Sequence, residues 1–178
     1  MLIADSALVL IGRDGIRALT HHRIDDEAGL ARGSTSYYCR KRVDMLRLAL
    51  QRLYVLDEAD LREAAARVGA DPTAEAIEAS AAEMITGWLT GDARLRSVAR
   101  IELFMAASHE PELQPLLVEQ LAGMRLAAIP LLVGEGEGAV RRLSAAFMLL
   151  DGLVLGVLRE GRPAPSTDEI RALLATLR

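Results

Sequence analysis

Residues 15–46 carry the strongest structural signal in the chain and read GIRALTHHRIDDEAGLARGSTSYYCRKRVDML. The region alternates helix-favouring runs with single glycines, which let the backbone turn where a side chain would obstruct it. Gly15 closes a preceding amphipathic helix over residues 4–13, as a C-cap glycine does. The region therefore predicts several short helices separated by sharp turns.

The predicted helices have the lengths of a helix-turn-helix. Thr20 offers an N-cap oxygen for a short helix over about 21–28, which Gly29 ends. A third short helix is predicted over about 32–39, and an amphipathic fourth helix over about 41–56. In a helix-turn-helix the third of these helices lies in the major groove while the second braces across the phosphates.

The side chains of the third helix and the start of the fourth suit DNA reading. Arg32 can donate two parallel hydrogen bonds to a guanine edge, while hydroxyls and cations can contact phosphate. Plainer interpretations of single residues are a solvated cap, core tyrosines and a solvated charged face. The candidate DNA-binding residues are Thr20, His21, His22, Arg32, Gly33, Ser34, Thr35, Ser36, Tyr37, Tyr38, Lys41 and Arg42.

This region resembles the DNA-binding head of tetracycline-repressor (TetR) type bacterial transcriptional regulators. The resemblance covers about a quarter of the chain without a gap, and implies a homodimer that binds palindromic double-stranded operator DNA and responds to a small-molecule effector. The residues that carry it are Gly15-Ile16, Leu19-Thr20, Arg23-Ile24, Ala28-Gly29-Leu30, Arg32-Gly33-Ser34-Thr35-Ser36-Tyr37-Tyr38, and Arg42 with Leu46.

Some positions depart from the family pattern. Asp25 stands where the family usually has alanine, Ser36 where it has tyrosine and Cys39 where it has phenylalanine. Asp25 and Asp26 near DNA would repel phosphate, and helical periodicity starts too close to Met1 for a basic arm to precede it. The alternative interpretation is therefore a helical interaction protein with a TetR-like fold that has lost useful DNA binding.

Composition favours an all-α fold. The resemblance implies that this fold comprises an N-terminal three-helix DNA-binding head and a larger helical dimerisation and ligand-binding body. Of 178 residues, 51% are hydrophobic and only 3% aromatic, a mixture that favours helices over sheets. The predicted domains are residues 1–46 and 47–178. The net charge of −4 divides into a mildly basic head and an acidic body. A single cysteine excludes an internal disulfide, and without a signal peptide or membrane span the chain is expected to be cytoplasmic.

The body is predicted to contain helices near 73–89, 93–109, 112–133 and 139–160, followed by a last helix capped by Ser166. The helix at 139–160 is apolar almost all round, which requires burial on two faces, one of them against a second subunit. Asp151 in that contact would need a polar partner. The candidate dimer-interface residues are Leu143, Phe147, Leu150, Asp151, Val154, Leu158, Ile170, Leu173 and Leu174.

The resemblance implies an effector pocket in the body. Large, adaptable side chains there are its candidate lining, although such residues are more often ordinary core. Its occupant is expected to be a small apolar molecule, with His109 and Arg125 as polar anchors. The candidate pocket residues are Met84, Trp88, Phe104, Met105, His109, Met124, Arg125 and Met148.

Other chemistry is not expected. No spacing marks a catalytic triad, so the chain is not predicted to be an enzyme, and no cofactor is implied. His22 and Asp26 share a helix face but lack a third metal ligand, so no metal site is predicted. The glycine-rich run at 134–138 carries two glutamates that would repel phosphate, and is expected to be an interhelical loop.

Overall fold

A computed structural model describes residues 1–69, 73–131, 136–160 and 163–177. Helices and turns make up these ranges and no strand occurs in them, which confirms the predicted all-α fold. None of their helices combines the length and apolar character that crossing a membrane requires. The helices are α1 (Leu2–Asp14), α2 (His21–Glu27), α3 (Ser34–Tyr38), α4 (Arg42–Val68), α5 (Ala74–Leu89), α6 (Ala93–Ser108), α7 (Gln114–Ala127), α8 (Gly136–Glu160) and α9 (Thr167–Ala175), with 3-10 turns at Ile16–Ala18, Pro111–Leu113 and Ile129–Leu131.

The predicted helix caps are confirmed. Gly15 ends α1 with a φ of 82°, a conformation that favours glycine. The Thr20 hydroxyl accepts a hydrogen bond from the Arg23 amide and begins α2. Ser166 and Glu169 form a complete capping box at α9, each side chain accepting from the other residue's amide.

Several predicted helix boundaries are wrong. Helix α3 begins at Ser34 instead of 32, because Gly33 adopts a left-handed φ of 93°. Helix α4 continues past residue 56 to Val68, where Gly69 turns the chain with a φ of 83°. The predicted helix at 112–133 consists of two 3-10 turns flanking α7, and Pro130 lies in the second turn.

The glycine-rich run is only partly a loop, because α8 already begins at Gly136. Residues 134–135 of that run lie outside the described residues, as do residues 132–133 of the predicted helix and residues 70–72 of the predicted linker.

Packing divides the chain into two units, of which the first comprises Met1–Leu56 and Arg94–Ala122. Its core joins apolar side chains of α1, α4 and α6, among them Ile11, Leu50 and Leu103. Helix α1 approaches the α6 backbone so closely that a Cβ on Gly12 would overlap the Leu95 carbonyl. This unit contains the predicted helix-turn-helix.

The second unit comprises Asp57–Ala93 and Gly123–Arg178. Within it α5 packs along α9 and also contacts α8 and the Ile129–Leu131 turn. Thr86 and Thr167 join α5 to α9 through a hydrogen bond of 3.0 Å between their hydroxyls. The division at residue 46 into a DNA-binding and a ligand-binding domain is a functional one and stays a prediction.

Candidate DNA-reading surface and ligand cavity

Two glycines shape the turn between α2 and α3. Gly29 and Gly33 adopt φ values of 65° and 93°, which side-chain-bearing residues rarely adopt. Arg32 lies exposed in this turn, before the first residue of α3. It was predicted at the start of the helix, and its displacement follows directly from the left-handed conformation of Gly33.

Asp25 caps the recognition helix α3 from inside the protein. Its side chain is fully buried, and its two carboxylate oxygens accept hydrogen bonds from the Gly33 amide at 2.8 Å and the Thr35 amide at 2.7 Å. Burial alone would raise the pKa of Asp25, but the hydrogen bonds from Thr35 and Gly33 outweigh it and lower that pKa. The expectation that Asp25 faces DNA and repels phosphate is therefore wrong.

The outer side of α3 is polar and accessible. Tyr37 and Tyr38 are 79% and 72% exposed, with ring centroids 5.1 Å apart in an edge-to-face arrangement. This exposure excludes the interpretation of the tyrosines as core. We call the exposed side chains of Arg32, Ser36, Tyr37, Tyr38 and Lys41 the reading surface.

Thr35 does not belong to the reading surface. Its side chain is fully buried on the inner side of α3, and its amide donates a hydrogen bond to the Asp25 carboxylate. The prediction that its side chain contacts DNA is therefore wrong. Its neighbour Ser34 is half-buried and donates its hydroxyl to the Ala31 carbonyl at 2.6 Å, which fixes the turn before α3.

Arg42 connects the start of α4 to the turn that precedes α2. Its guanidinium donates to the carbonyls of Leu19 and Ile16, each at 2.7 Å. The carboxylate of Glu102 on α6 accepts from the Ile16 amide at 3.1 Å. Arg42 was predicted to bind phosphate. Its hydrogen bonds instead hold the turn that precedes α2 against the start of α4.

The two adjacent histidines occupy different environments. His21 is half-buried and donates from Nε2 to the carbonyl of Cys39 at 2.6 Å, which ties α2 to the end of α3. His22 is exposed beside exposed Asp26, and no group of three metal-ligating side chains occurs within the described ranges. Cys39 is buried, and burial raises the pKa of its thiol.

The second unit contains a largely apolar cavity of about 110 Å³ that is partly open to solvent. Trp88, Met84 and four further residues on α5 form one wall, at spacings of three or four residues that follow the period of a helix. Helices α4, α8 and α9 and the residues around the Ile129–Leu131 turn complete it. The lining residues are Leu61, Ile77, Glu78, Ala81, Met84, Ile85, Trp88, Ala128, Leu131, Arg142, Leu143, Ala146, Phe147, Leu150, Leu174 and Leu177.

Of the predicted pocket residues, Met84 and Trp88 line this cavity and the other six do not. Phe104 packs against the core of the first unit, and Met124 is buried outside the cavity wall. The remaining four are exposed: Met105, His109, Arg125 and Met148. The charged residues of the lining are Glu78 and Arg142 instead of the predicted anchors. The apolar candidates were chosen for side-chain size and adaptability and the anchors for polarity, and none of these properties reveals which face of a helix points inward.

The predicted dimer-interface residues also need correction. Leu150, Val154, Ile170 and Leu174 are buried within their own chain and cannot present a surface to a second subunit. Leu143 and Phe147 line the cavity, and Leu158 is half-buried. Asp151 and Leu173 are exposed. A residue of a subunit interface must be exposed in the isolated chain, so these two remain candidates.

A different face of α8 is apolar and exposed. Val140, Met148 and Leu155 are 60%, 72% and 50% exposed, and the exposed residues Asp151 and Gly152 lie between the last two along the helix. We call these five residues the outer face of α8.

Comparison with known proteins identifies the fold. The tetracyclin repressor-like C-terminal domain family matches residues 72–178, more than half of the chain. The chain belongs to the TetR family.

Solved structures support this membership. A TetR-family member from Streptomyces coelicolor A3 is 26% identical, with a TM-score of 0.73 over 99% of this chain and 95% of that chain. The multidrug binding protein EbrR is similar in its complexes with imidazole (29% identity, TM-score 0.71, 99% and 87% of the two chains) and with ethidium (25%, 0.72, 99% and 96%). No curated protein matches the chain.

TetR membership makes this a protein with the fold of a transcriptional regulator. Regulators of this family are typically not enzymes. In such a protein α2 and α3 form the helix-turn-helix. The family match covers most of the second unit and also Arg94–Ala122 of the first.

Proposed function

We propose that this TetR-family protein is a ligand-responsive repressor that binds palindromic operator DNA as a homodimer. The observation that carries the proposal is the recognition helix α3, which is capped from within by a buried carboxylate and presents exposed polar side chains outward. A helix held in this way keeps a fixed orientation while its outer side remains available to a DNA groove.

The alternative, a TetR-like interaction protein without DNA binding, loses the argument from Asp25, which is buried, and keeps the one from Asp26, which is exposed. A native gel with DNA fragments selected by the protein from a random pool separates the two. The repressor proposal expects a shift at low salt that raised salt abolishes, because phosphate contacts release counterions. The absence of selected sequences at low salt would favour the interaction protein.

Base reading is assigned to Arg32 and phosphate binding to Lys41. Arg32→Ala should relax preference at one base pair of each half-site and cost about 1–3 kcal/mol in binding. Lys41→Ala should weaken binding to all sequences alike and lower the salt slope by about one. Lys41 is the better test of phosphate binding because the Arg42 guanidinium also holds the head together. Unchanged base preference in Arg32→Ala would contradict the groove assignment.

The homodimer is assigned to the outer face of α8. Members of the family act as dimers, and an exposed row of large apolar side chains on a long helix favours such a contact. Met148→Glu and Leu155→Glu should give folded monomers by light scattering, because an unpaired charge resists burial. Val154→Glu is the contrasting variant, since Val154 is buried within its own chain and the change should unfold the protein. A dimeric mass for both outer-face variants would contradict the assignment.

The effector is assigned to the cavity of the second unit. EbrR has been crystallised with imidazole and with ethidium, which are planar aromatic ring compounds that carry N–H groups, and this supports a compound of that kind as occupant here. Glu78 is only 6% exposed on the cavity wall, and its carboxyl group favours a ligand that carries N–H donors. Arg142 contributes a second charge to the lining.

The fluorescence of Trp88 tests this assignment, since it is the only tryptophan in the chain and lines the cavity. Imidazole should change its emission and release DNA over the same concentration range, in buffer of constant pH and ionic strength. Imidazole is the better probe because ethidium also intercalates into DNA. Release of DNA without any change in Trp88 emission would place the effector site elsewhere.

A further inference from the structure

A direct hydrogen bond joins the α5 wall of the cavity to α4, which itself contributes Leu61 to the lining. Trp88 is almost completely buried and lines the cavity from α5. Its indole Nε1 donates to Oδ2 of Asp60, on the second half of α4, at 2.5 Å. Hydrogen bonds to a charged acceptor are shorter and stronger than neutral ones, so this contact is a firm attachment between the two helices.

The same helix begins in the DNA-binding head. Helix α4 runs without interruption from Arg42 to Val68, and Arg42 holds the carbonyls of Leu19 and Ile16. A displacement of α4 at Asp60 therefore acts on the element that also holds the helix-turn-helix.

The indole group is suited to transmit such a displacement. Its N–H bond is fixed in the ring plane and cannot rotate away from the acceptor, as a hydroxyl group could. A ligand that shifts the Trp88 ring must therefore either move Asp60 with it or break the hydrogen bond. The apolar lining residues, including Leu61 on α4 and Ile85 on α5, offer only non-directional contacts.

We infer that the hydrogen bond between Trp88 and Asp60 is the link through which occupancy of the cavity changes DNA affinity. The inference rests on the proposed function, since it requires that the cavity binds the effector. Asp60 is on this view a positioning residue that contacts neither the ligand nor DNA, because it does not line the cavity.

The test compares four variants of the full-length protein with the wild type. Trp88→Phe retains an aromatic ring but removes the N–H donor, and Asp60→Ala removes the acceptor. Asp60→Asn retains an acceptor oxygen, and Gly87→Ala changes α5 next to Trp88 without touching the cavity lining or the link. Imidazole binding is measured by saturation-transfer NMR, which does not depend on tryptophan. DNA affinity is measured with and without saturating imidazole on fragments selected by the wild type.

The expected result separates binding from coupling. Imidazole should weaken DNA binding by about tenfold in the wild type, within the usual range of allosteric coupling. Asp60→Ala, which lies outside the lining, should bind imidazole within about threefold of the wild type but show less than about a twofold change in DNA affinity. Trp88→Phe should show the same loss of response once imidazole is saturating. Asp60→Asn and Gly87→Ala should retain the wild-type response. A merely structural role of Asp60 would lower thermal stability and leave the response to imidazole intact.

A second arm needs no ligand. If the link holds α4 in the DNA-binding position, Trp88→Phe and Asp60→Ala should lower DNA affinity of the unliganded protein by about fivefold, and the two control variants should not. Full imidazole response in Trp88→Phe and Asp60→Ala overturns this inference alone. A wild type that binds DNA and imidazole without any effect of one on the other overturns the proposed function and this inference together. If imidazole does not bind, the DNA affinities of the unliganded variants decide whether the inference holds.

Discussion

The helix-turn-helix and the cavity-bearing unit are held together by different forces. Helices α2 and α3 have seven and five residues, too few to be stable on their own. Individual polar contacts fix them, through the Asp25 carboxylate, the His21 imidazole and the Arg42 guanidinium.

The second unit contains longer helices, with 16 residues in α5 and 25 in α8. Apolar side chains join them around a cavity instead of a filled core. This difference determines which kind of substitution destabilises each region. In the head, removal of a single polar group should have a large effect, whereas the cavity wall should tolerate changes in side-chain volume.

The largest effect is expected from Asp25→Ala. It leaves the amides of Gly33 and Thr35 without their acceptor, and should lower the free energy of unfolding by about 2–4 kcal/mol. Specific DNA binding should be lost even at a temperature where the variant is folded, as measured by denaturant titration and native gel. Asp26→Ala on the exposed side of α2 is the matched control, with an expected change within about 0.5 kcal/mol. Equal behaviour of the two variants would contradict the capping role of Asp25.

Acidification should remove the contribution of the Asp25 carboxylate to the stability of the folded protein. Because the pKa of Asp25 is lowered in the folded protein, its stabilising effect is complete above the pKa of the unfolded chain and disappears as the pH falls through the lowered value. Asp25→Asn retains only one acceptor oxygen, as does the protonated acid. The wild type should therefore be more stable than Asp25→Asn at neutral pH, and the difference should shrink on acidification. A difference that is independent of pH would mean that the charge of Asp25 is unimportant.

A smaller effect is expected from Gly12→Ala, which probes the close approach of α1 and α6. The added methyl group would meet the Leu95 backbone carbonyl, which cannot rotate away, and should cost about 2 kcal/mol. Gly87→Ala on α5 is the control in the second unit, because its Cβ would meet nothing within 4 Å. That variant should gain about 0.5–1 kcal/mol from helix propensity. Thermal unfolding should show a lower melting temperature for Gly12→Ala and a higher one for Gly87→Ala than for the wild type.

Added volume distinguishes the filled core from the cavity. Ala49→Leu inserts three carbon atoms into the fully buried core of the first unit, and should cost about 1–2 kcal/mol through overpacking. Ala81→Leu adds the same atoms to the cavity wall, where space of about 110 Å³ is available, and should leave stability unchanged or raised while weakening imidazole binding. Similar losses in both variants would show that the cavity is not available to side chains.

The sequence predicted the head better than the cavity because the head is local. Its turn glycines, the N-cap Thr20 and the order of short helices are all determined by neighbouring residues. The inward direction of Asp25 and Thr35 depends on packing, and only the fold reveals it. The cavity is formed by residues of four helices from separate parts of the sequence. The sequence therefore could not show that Met84 lines the cavity whereas Phe104 packs against the core of the first unit.

The smallest effect is expected from the helix caps, and it again separates the two regions. Ser166 caps α9 within a reciprocal box in which its own amide donates to Glu169 at 2.8 Å. Thr20 caps α2 through one longer contact of 3.4 Å to the Arg23 amide. Ser166→Ala should therefore cost about 1 kcal/mol, and Thr20→Ala about 0.5 kcal/mol. Denaturant titration measures both, and Ser166→Thr should restore most of the loss at α9 because threonine keeps the hydroxyl. A larger loss for Thr20→Ala than for Ser166→Ala would mean that the short head helix depends on its cap more strongly than its long hydrogen bond implies.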